Sequence, residues 1–283
     1  MSGNPADIIQ RLQTDRGEQF EGAVIDAFNY LGLDASLTRT QEAESDGTAE
    51  ALLAESPYFV VIECCAVDQG NEVGYEKIGQ IRGNFPAYLD ERRQRIFKTG
   101  YKLLVGKPAF SSNARARADP DVCLIQATSL IKMIDFHSKY HFSQDELELV
   151  MSVAGELTEE HLRNIVNIYQ RRISIYALVC LSLIMGHAIE SENRRRPFIP
   201  AEQVVGQVLG YSEMLQIDNV QDYEIRECIR DMSSPILKII DSRDDSVRLS
   251  SVSLKTITAN LGEMGKEFFS KLEDYSNRLR ARL

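Results

Sequence analysis

The sequence predicts an α/β domain, in which a mixed central sheet is flanked by helices, followed by a mainly helical domain. Within residues 1–165, short apolar runs rich in β-branched and aromatic residues alternate with stretches of helical periodicity. Within residues 166–251, helical segments precede two strand-like runs. The length of 283 residues fits about two domains. An amphipathic helix is expected over 252–283.

The first domain is predicted from hydrophobic periodicity and from turn residues. Phe20, Val24 and Leu31 recur at helical spacing and indicate the first helix. The elements that follow from these patterns are a helix over 16–31 ended by Gly32, a short strand over 37–40, a turn at Asp46-Gly47, a buried strand over 58–66, a helix over 75–95, a strand over 101–105, a polar loop over 108–120, a strand over 122–126 and a helix over 128–138. Pro86 is expected to kink or break its helix.

The second domain has the element order of a winged helix-turn-helix. Thr158 is expected to cap a helix over 156–169. The further elements are an apolar helix over 173–190, short helices over 200–209 and 222–232, and strands over 235–241 and 246–251 around a turn at 243–245. Beyond them, Leu254, Leu261, Phe268 and Tyr275 belong to a near-heptad stripe typical of helix packing or dimerisation.

Composition narrows the class of protein. The net charge of −10 argues against a simple polyanion-coating protein. Residues 1–165 carry 16 Lys+Arg and 26 Asp+Glu, whereas residues 166–283 carry 16 of each.

No signal-peptide pattern opens the chain and no uninterrupted membrane-length apolar run is present. Five cysteines without CxxC spacing favour buried thiols in a reducing compartment. A cytoplasmic protein without a membrane segment is therefore expected.

Two acidic residues, Asp46 and Glu63, are candidate ligands of a metal ion. Asp46 lies at a turn before Gly47, and Glu63 follows the apolar run over 58–62. Carboxylates are hard oxygen ligands that suit Mg²⁺, and they converge on one ion if their strands are adjacent. Asp46 alone could be an ordinary turn residue. Glu63 carries more weight, because a buried strand does not tolerate an unpaired charge. Glu21 on the first helix could assist.

At these residues the chain resembles the PD-(D/E)XK nuclease superfamily, and more closely the FokI-type cleavage domains. The resemblance covers roughly residues 15–166 and rests on the order and spacing of its motifs, which are residues 16–21, Asp46-Gly47, residues 61–65, residues 78–82, residues 101–106 and residues 157–160. It implies a restriction-endonuclease-like fold, Mg²⁺ (or Mn²⁺) and hydrolysis of DNA phosphodiester bonds. It also implies that Asp46 and Glu63 are the metal ligands.

The chain departs from that pattern at Cys65, which stands where the motif lysine is expected. A thiol does not stabilise the negative charge of a phosphate as an ammonium does. Three explanations remain open at this stage. Lys77 or Lys102 could replace the missing lysine from another backbone position, the site could be inactive, or the substitution could trap an inert form.

Two roles of the second domain stay open, which are contact with DNA and contact with a partner protein. Contact with DNA would use local basic residues, because the chain as a whole is acidic and the helix over 222–232 also carries acidic residues. Arg194-Arg195-Arg196 is the densest basic cluster of the domain, Arg226 and Arg230 lie on the helix expected to enter a DNA groove, and Arg243 lies in the expected wing. Two functions follow. One is a dimeric metal-dependent DNA endonuclease of restriction or anti-invader type. The other is a catalytically inactive subunit that binds DNA or a partner protein.

Overall fold

The computed structural model describes residues 4–38, 45–93, 96–140, 142–189, 198–217, 219–233, 239–250 and 263–282. The chain divides into two compact units, Met1–Val166 and Asn167–Leu283. The first is a mixed α/β unit, as the sequence predicts. The residues 39–44, 190–197 and 251–262 lie outside the described parts, so the predictions that fall on them stay predictions.

The first unit is built around a six-stranded sheet. Its elements are α1 (Pro5–Thr14), α2 (Gly17–Tyr30), β1 (Asp34–Leu37), β2 (Gly47–Ala51), β3 (Tyr58–Ala66), α3 (Glu76–Arg93), β4 (Thr99–Lys107), α4 (Ser112–Ala118), β5 (Cys123–Gln126), α5 (Ala127–Tyr140), α6 (Gln144–Met151), β6 (Gly155–Glu156) and the start of α7 (Glu159–Ile189). The strands lie in chain order. The contacts β1–β2 and β2–β3 are antiparallel, and the contacts from β3 to β6 are parallel.

Both faces of this sheet are covered, because the strands at its centre are apolar on both sides. On one face, Val60, Ile62 and Cys64 of β3 pack with residues of α1, α2 and α5. On the other face, Phe59 and Val61 pack with residues of α3 and α4. Successive side chains of a strand point to opposite faces. Glu63 therefore lies on the α3 face, at the carboxyl-terminal part of a strand that is otherwise a hydrophobic core element.

Several boundaries differ from the sequence predictions for physical reasons. Residues 108–120 contain helix α4 rather than only a loop, because the Ser111 hydroxyl accepts a hydrogen bond from the Ala114 amide and caps the helix. Helix α1 was not predicted, although the Asn4 side chain caps it. Gly47 begins β2 instead of forming a turn. Pro86, which was expected to kink or break its helix, lies inside α3. The adjacent Phe85 stacks on Phe59 of β3, and this packing stabilises the helix.

The second unit contains the rest of α7 and the elements β7 (Ile199–Pro200), α8 (Ala201–Leu215), α9 (Asp222–Ser233), β8 (Ile240–Arg243), β9 (Ser246–Leu249) and α10 (Glu263–Arg280). The helices predicted over 156–169 and 173–190 form one continuous helix, α7, and the Thr158 hydroxyl accepts a hydrogen bond from the His161 amide at its start. The strands form a small antiparallel sheet in the order β7-β9-β8. Asp244, in the hairpin turn, adopts a positive φ of 51°.

One helix of the described residues, Glu159–Met185, is long and apolar enough to cross a membrane by length and composition. Its most apolar window is 67% buried inside the protein. Core helices of soluble proteins have the same length and composition, so this finding is weak evidence for a membrane segment.

Gly47 is required by close packing at the start of β2. A Cβ atom at this position would lie 2.5 Å from Ile25 Cδ1 and 3.0 Å from the backbone oxygen of Ser36. We expect Gly47→Ala to lower the free energy of unfolding by about 1–3 kcal/mol, because overpacking displaces the neighbouring strand. Urea denaturation followed by circular dichroism measures this change.

Gly79→Ala is the matched control. Gly79 lies in α3 and a Cβ there would meet no atom within 4 Å. Alanine in an exposed helical position is expected to be neutral or stabilising by about 0.5–1 kcal/mol. Equal destabilisation by both changes would contradict the packing argument for Gly47.

Candidate functional site

The register of two antiparallel strands brings Asp46 next to Glu63. Gly47 of β2 pairs with Ile62 of β3, so the residue before Gly47 stands beside the residue after Ile62. The backbone N–H of Cys64 donates a hydrogen bond of 2.7 Å to Asp46 Oδ2. The carboxylate of Asp46 is thus fixed against β3 by the main chain of the strand that carries Glu63.

Lys77 joins these two carboxylates from the first turn of α3. Its Nζ donates a hydrogen bond of 3.0 Å to Glu63 Oε2 and lies 3.8 Å from Asp46 Oδ2. The Glu63 side chain is fully buried, whereas about a third of the Lys77 side chain is exposed. The ammonium therefore lies at the boundary between a buried carboxylate and solvent, where it compensates charge on both acids.

Burial changes the proton affinity of this cluster. Removal from water, followed by repulsion from Asp46, raises the pKa of Glu63 from 4.5 to about 7, although attraction to Lys77 opposes the shift. Burial alone would lower the pKa of Lys77, but attraction and hydrogen bonding to Glu63, with a further contribution from Asp46, raise it. Lys77 is therefore a permanent cation at neutral pH, while Glu63 exchanges its proton near neutrality.

One oxygen of Glu63 lacks a hydrogen-bond partner. Oε1 is buried and accepts no hydrogen bond from the described residues. Buried polar atoms almost always have a partner, so this oxygen is available to ligate a cation. The Ser45 hydroxyl is also buried without a hydrogen bond of normal geometry, but it lies close enough to Glu63 to lower the pKa of that carboxyl. The sequence analysis did not predict Ser45 as a site residue. Its position directly before Asp46 is the signal that could have indicated it.

The donor set fits a hard divalent cation in kind but is small in number. Asp46 and Glu63 supply carboxylate oxygens, which Mg²⁺ prefers, and Mg²⁺ keeps several of its waters when bound. Within the parts of the chain that the structure describes, no three side chains of His, Cys, Asp or Glu converge on one point. A cation here would therefore rest on two carboxylates, with water or substrate completing its coordination.

Cys65 does not supply the charge of the expected motif lysine. Burial raises the pKa of its thiol above the ordinary value of 9, so the thiol is neutral at pH 7. Cys64, the preceding residue, belongs to the core on the opposite face of β3. Attraction to Lys77 partly opposes the shift in the pKa of Cys65, which indicates that the ammonium lies near the thiol.

The two alternative lysines have different surroundings. Lys102 lies on β4 opposite Val61, where it pairs with Asp121 and lies over the ring of Phe85, with 4.8 Å between Nζ and the ring centroid. Of the two candidates, only Lys77 contacts Asp46 and Glu63. Glu21 lies on α2, near enough to Cys64 to raise the pKa of that thiol.

The basic residues of the second unit that were predicted to contact DNA differ in their surroundings. Arg226 is paired with Glu202 and with Asp222, so its charge is compensated within the protein. Arg230 is exposed on α9. Arg243 is 78% exposed in the hairpin, 4.0 Å from a carboxylate oxygen of Asp244. The residues 194–196 lie outside the described parts.

Comparisons with solved structures give a weak similarity to the restriction endonuclease FokI. No protein-family model matches the chain, and no curated protein matches it. The solved structure of restriction endonuclease FokI is 12% identical with a TM-score of 0.42, over 54% of this chain and 31% of that chain. FokI bound to DNA is 14% identical with a TM-score of 0.37, over 54% of this chain and 30% of that chain. The chain thus spans less than a third of that enzyme, and similarity at this level carries no argument about activity.

The raised pKa of Glu63 predicts a pH dependence of stability. Between about pH 4.5 and 7, Glu63 binds more protons in the folded protein than in the unfolded chain, so its contribution to stability falls as pH rises through this window. In the absence of divalent cations, we expect the wild type to lose on the order of 1–3 kcal/mol more than Glu63→Gln between pH 5 and 8. Urea denaturation of both proteins at the two pH values measures the difference.

Glu63→Gln is an isosteric control that cannot titrate, so contributions from other groups cancel in the comparison. Lys77 remains charged throughout this range because its pKa is raised. Parallel pH profiles of wild type and variant would show that the proton affinity of Glu63 is not altered by folding.

Proposed function

We propose that the first unit is a metal-dependent DNA endonuclease of the PD-(D/E)XK type, acting in restriction or in another defence against invading DNA. The observation that carries this proposal is the convergence of Asp46, Glu63 and Lys77. Two carboxylates and one ammonium meet at the end of a buried strand, although they are separated by up to 31 positions in sequence. Phosphodiester hydrolysis needs hard oxygen ligands for a cation and a positive group for the phosphate.

In this proposal Asp46 and Glu63 hold Mg²⁺, and Mn²⁺ is an alternative ion. The ion, when bound, polarises the phosphate and lowers the pKa of a water ligand. The hydrogen bond from the Cys64 amide orients the carboxylate of Asp46. Lys77 stabilises the negative charge that develops on the phosphate, and Glu21 assists from α2. Lys77 thereby takes the role of the lysine that Cys65 has replaced.

For the second unit we propose a winged-helix domain. Support comes from the order α7, β7, α8, α9 and the β8–β9 hairpin, in which β7 pairs with β9. DNA contact by this unit would involve Arg230, Arg243 and residues 194–196, whereas the compensated charge of Arg226 favours it less. A cytoplasmic location and a homodimer complete the proposal, and the apolar stripe of the C-terminal segment supports the dimer.

A second candidate function is supported by the same lysine. The Lys77 ammonium already neutralises the two carboxylates, with contacts of 3.0 and 3.8 Å. A cation in this position could compensate the buried charge without any metal ion. Together with the loss of the motif lysine at Cys65, this contact favours a catalytically inactive subunit that binds DNA or a partner protein.

Plasmid cleavage in Mg²⁺ or Mn²⁺ tests the proposed activity. We expect Asp46→Ala and Glu63→Ala to abolish cleavage because each removes a ligand of the ion. Lys77→Met should lower the rate by about 10²–10³, as expected for the loss of one group that stabilises the transition state. Lys102→Met should lower it only a few-fold at most, because Lys102 pairs with Asp121.

The lysine variants also discriminate between the two proposed replacements. Cleavage that is lost in Lys102→Met and kept in Lys77→Met would assign the role to Lys102. Cleavage that survives both Asp46→Ala and Glu63→Ala would exclude this site as the catalytic centre.

Binding of Mg²⁺ separates the active from the inactive candidate function. A ligand that binds only the folded state stabilises it by about 1.4 kcal/mol at ten times its Kd. We expect Mg²⁺ to raise the thermal unfolding temperature of the wild type at pH 8 and to leave Glu63→Gln nearly unchanged. An unchanged wild type at millimolar Mg²⁺ would favour the inactive subunit.

A further inference from the structure

We propose that Arg117, which lies over the ring of Tyr75, binds a backbone phosphate of DNA near the start of α3, the helix that carries Lys77. This inference rests on the proposed function and extends it, because it assigns a substrate-positioning residue that the sequence patterns did not indicate. The assignment is supported by the residue type, by its stacking partner, by its place in the fold and by its charge.

The stack holds the guanidinium in a defined orientation. The Arg117 Cζ atom lies 3.9 Å from the centroid of the Tyr75 ring. Tyr75 is 37% exposed, and Arg117 is exposed on α4. A guanidinium that stacks uses its face, so its N–H groups remain available at the edge for two parallel hydrogen bonds to a phosphate. Because the side chain is already ordered, less conformational entropy is lost when the phosphate binds.

The stack is linked to the site through the backbone. Tyr75 stands two residues before Lys77, and its carbonyl oxygen accepts the hydrogen bond of the Ile78 amide at 3.0 Å in the first turn of α3. The Val73 amide donates to the Ala109 carbonyl at 2.7 Å, and the Ser111 amide donates to the Val73 carbonyl at 3.0 Å. Because Ser111 caps α4, these bonds fix the helix that carries Arg117 to the segment that leads into Lys77.

Within the described parts of the first unit, Arg117 differs from several other cations in having no acidic partner. Arg115, on the same helix, pairs with Glu156, and Arg16 pairs with Asp68. Arg82 and Lys102 share Asp121. Among the described residues, Arg117 forms no ion pair with a carboxylate. In a unit with an excess of acidic residues, an uncompensated cation over Tyr75, two residues before Lys77, is a specific attraction for a phosphate.

The substrate class that follows is a nucleic-acid strand bound through its backbone. A single phosphate contact adds affinity without reading sequence, and it releases about one condensed counterion from duplex DNA. Arg117 is therefore a positioning residue, which places the strand relative to Asp46, Glu63 and Lys77. Its contribution should depend on salt concentration and should be the same for DNA duplexes of different sequence.

Binding of the full-length chain to short DNA duplexes, measured by fluorescence anisotropy in Ca²⁺ at several salt concentrations, tests this inference. We expect Arg117→Ala to weaken binding about 3–10-fold and to reduce the slope of log K against log salt by about 1. Tyr75→Phe keeps the stack and should bind like the wild type, whereas Tyr75→Leu should lose part of the affinity.

Arg115→Ala is the matched control, because it removes an arginine of the same helix whose charge is already compensated by Glu156. It should leave both the affinity and the salt slope nearly unchanged. Arg117→Glu provides a second variant that preserves a polar side chain, and its binding should be weaker than that of Arg117→Ala. Thermal unfolding of each variant verifies that the unit is folded.

The outcomes separate this inference from the proposed function. Absence of DNA binding by the wild type would overturn both. Binding by the wild type with an unchanged salt slope in Arg117→Ala and Arg117→Glu would overturn the role of Arg117 alone. Equal losses in Arg115→Ala and Arg117→Ala would show a general charge effect and would also overturn it.

Discussion

The ion pair between Glu63 and Lys77 is the interaction on which the candidate site depends. A carboxylate with no exposed surface is costly to keep ionised unless a cation and hydrogen bonds compensate for lost hydration. Lys77 supplies that compensation from a different element, so β3 and the first turn of α3 must meet in one arrangement. The packing of α3 on the sheet through Ile78, Ile81 and Phe85 provides the rigidity that this meeting requires.

The position of the lysine on a helix has consequences for the chemistry of the site. A lysine two residues after Glu63 would point to the same face of the same strand, and its distance from the carboxylate would be fixed by the strand. Lys77 instead reaches the acids from α3, with a third of its side chain in solvent. The strand position is filled by Cys65, a smaller and neutral side chain, which leaves room at the carboxylates for an ammonium that arrives from elsewhere.

The sequence predicts a large part of this architecture. The elements that it does not predict have identifiable physical causes. The bounds predicted for β3 agree with the structure because its β-branched and aromatic residues are buried on both faces. Adjacency of Asp46 and Glu63 was expected if their strands were neighbours, and the antiparallel pairing of β2 with β3 makes them so. Helix α4 was missed because its short, arginine-rich sequence has little apolar periodicity and depends on the Ser111 cap.

The choice between Lys77 and Lys102 illustrates a limit of sequence patterns. Both lysines lie on elements that border β3, and spacing alone does not distinguish them. The structure distinguishes them by their partners, because Lys102 pairs with Asp121 whereas Lys77 contacts both acids. The continuity of α7 was missed for a related reason, because no glycine or proline interrupts the polar residues 170–172 and the helix simply continues.

The hydrogen bond from the Cys64 amide to Asp46 has a consequence for how this site can change over evolutionary time. Its donor is a main-chain N–H, so any residue except proline can occupy position 64 without losing it. The orientation of Asp46 is therefore encoded by the register of β2 and β3 rather than by a particular codon. The side chains around the acids, including the one at position 65, can therefore change while this carboxylate keeps its place.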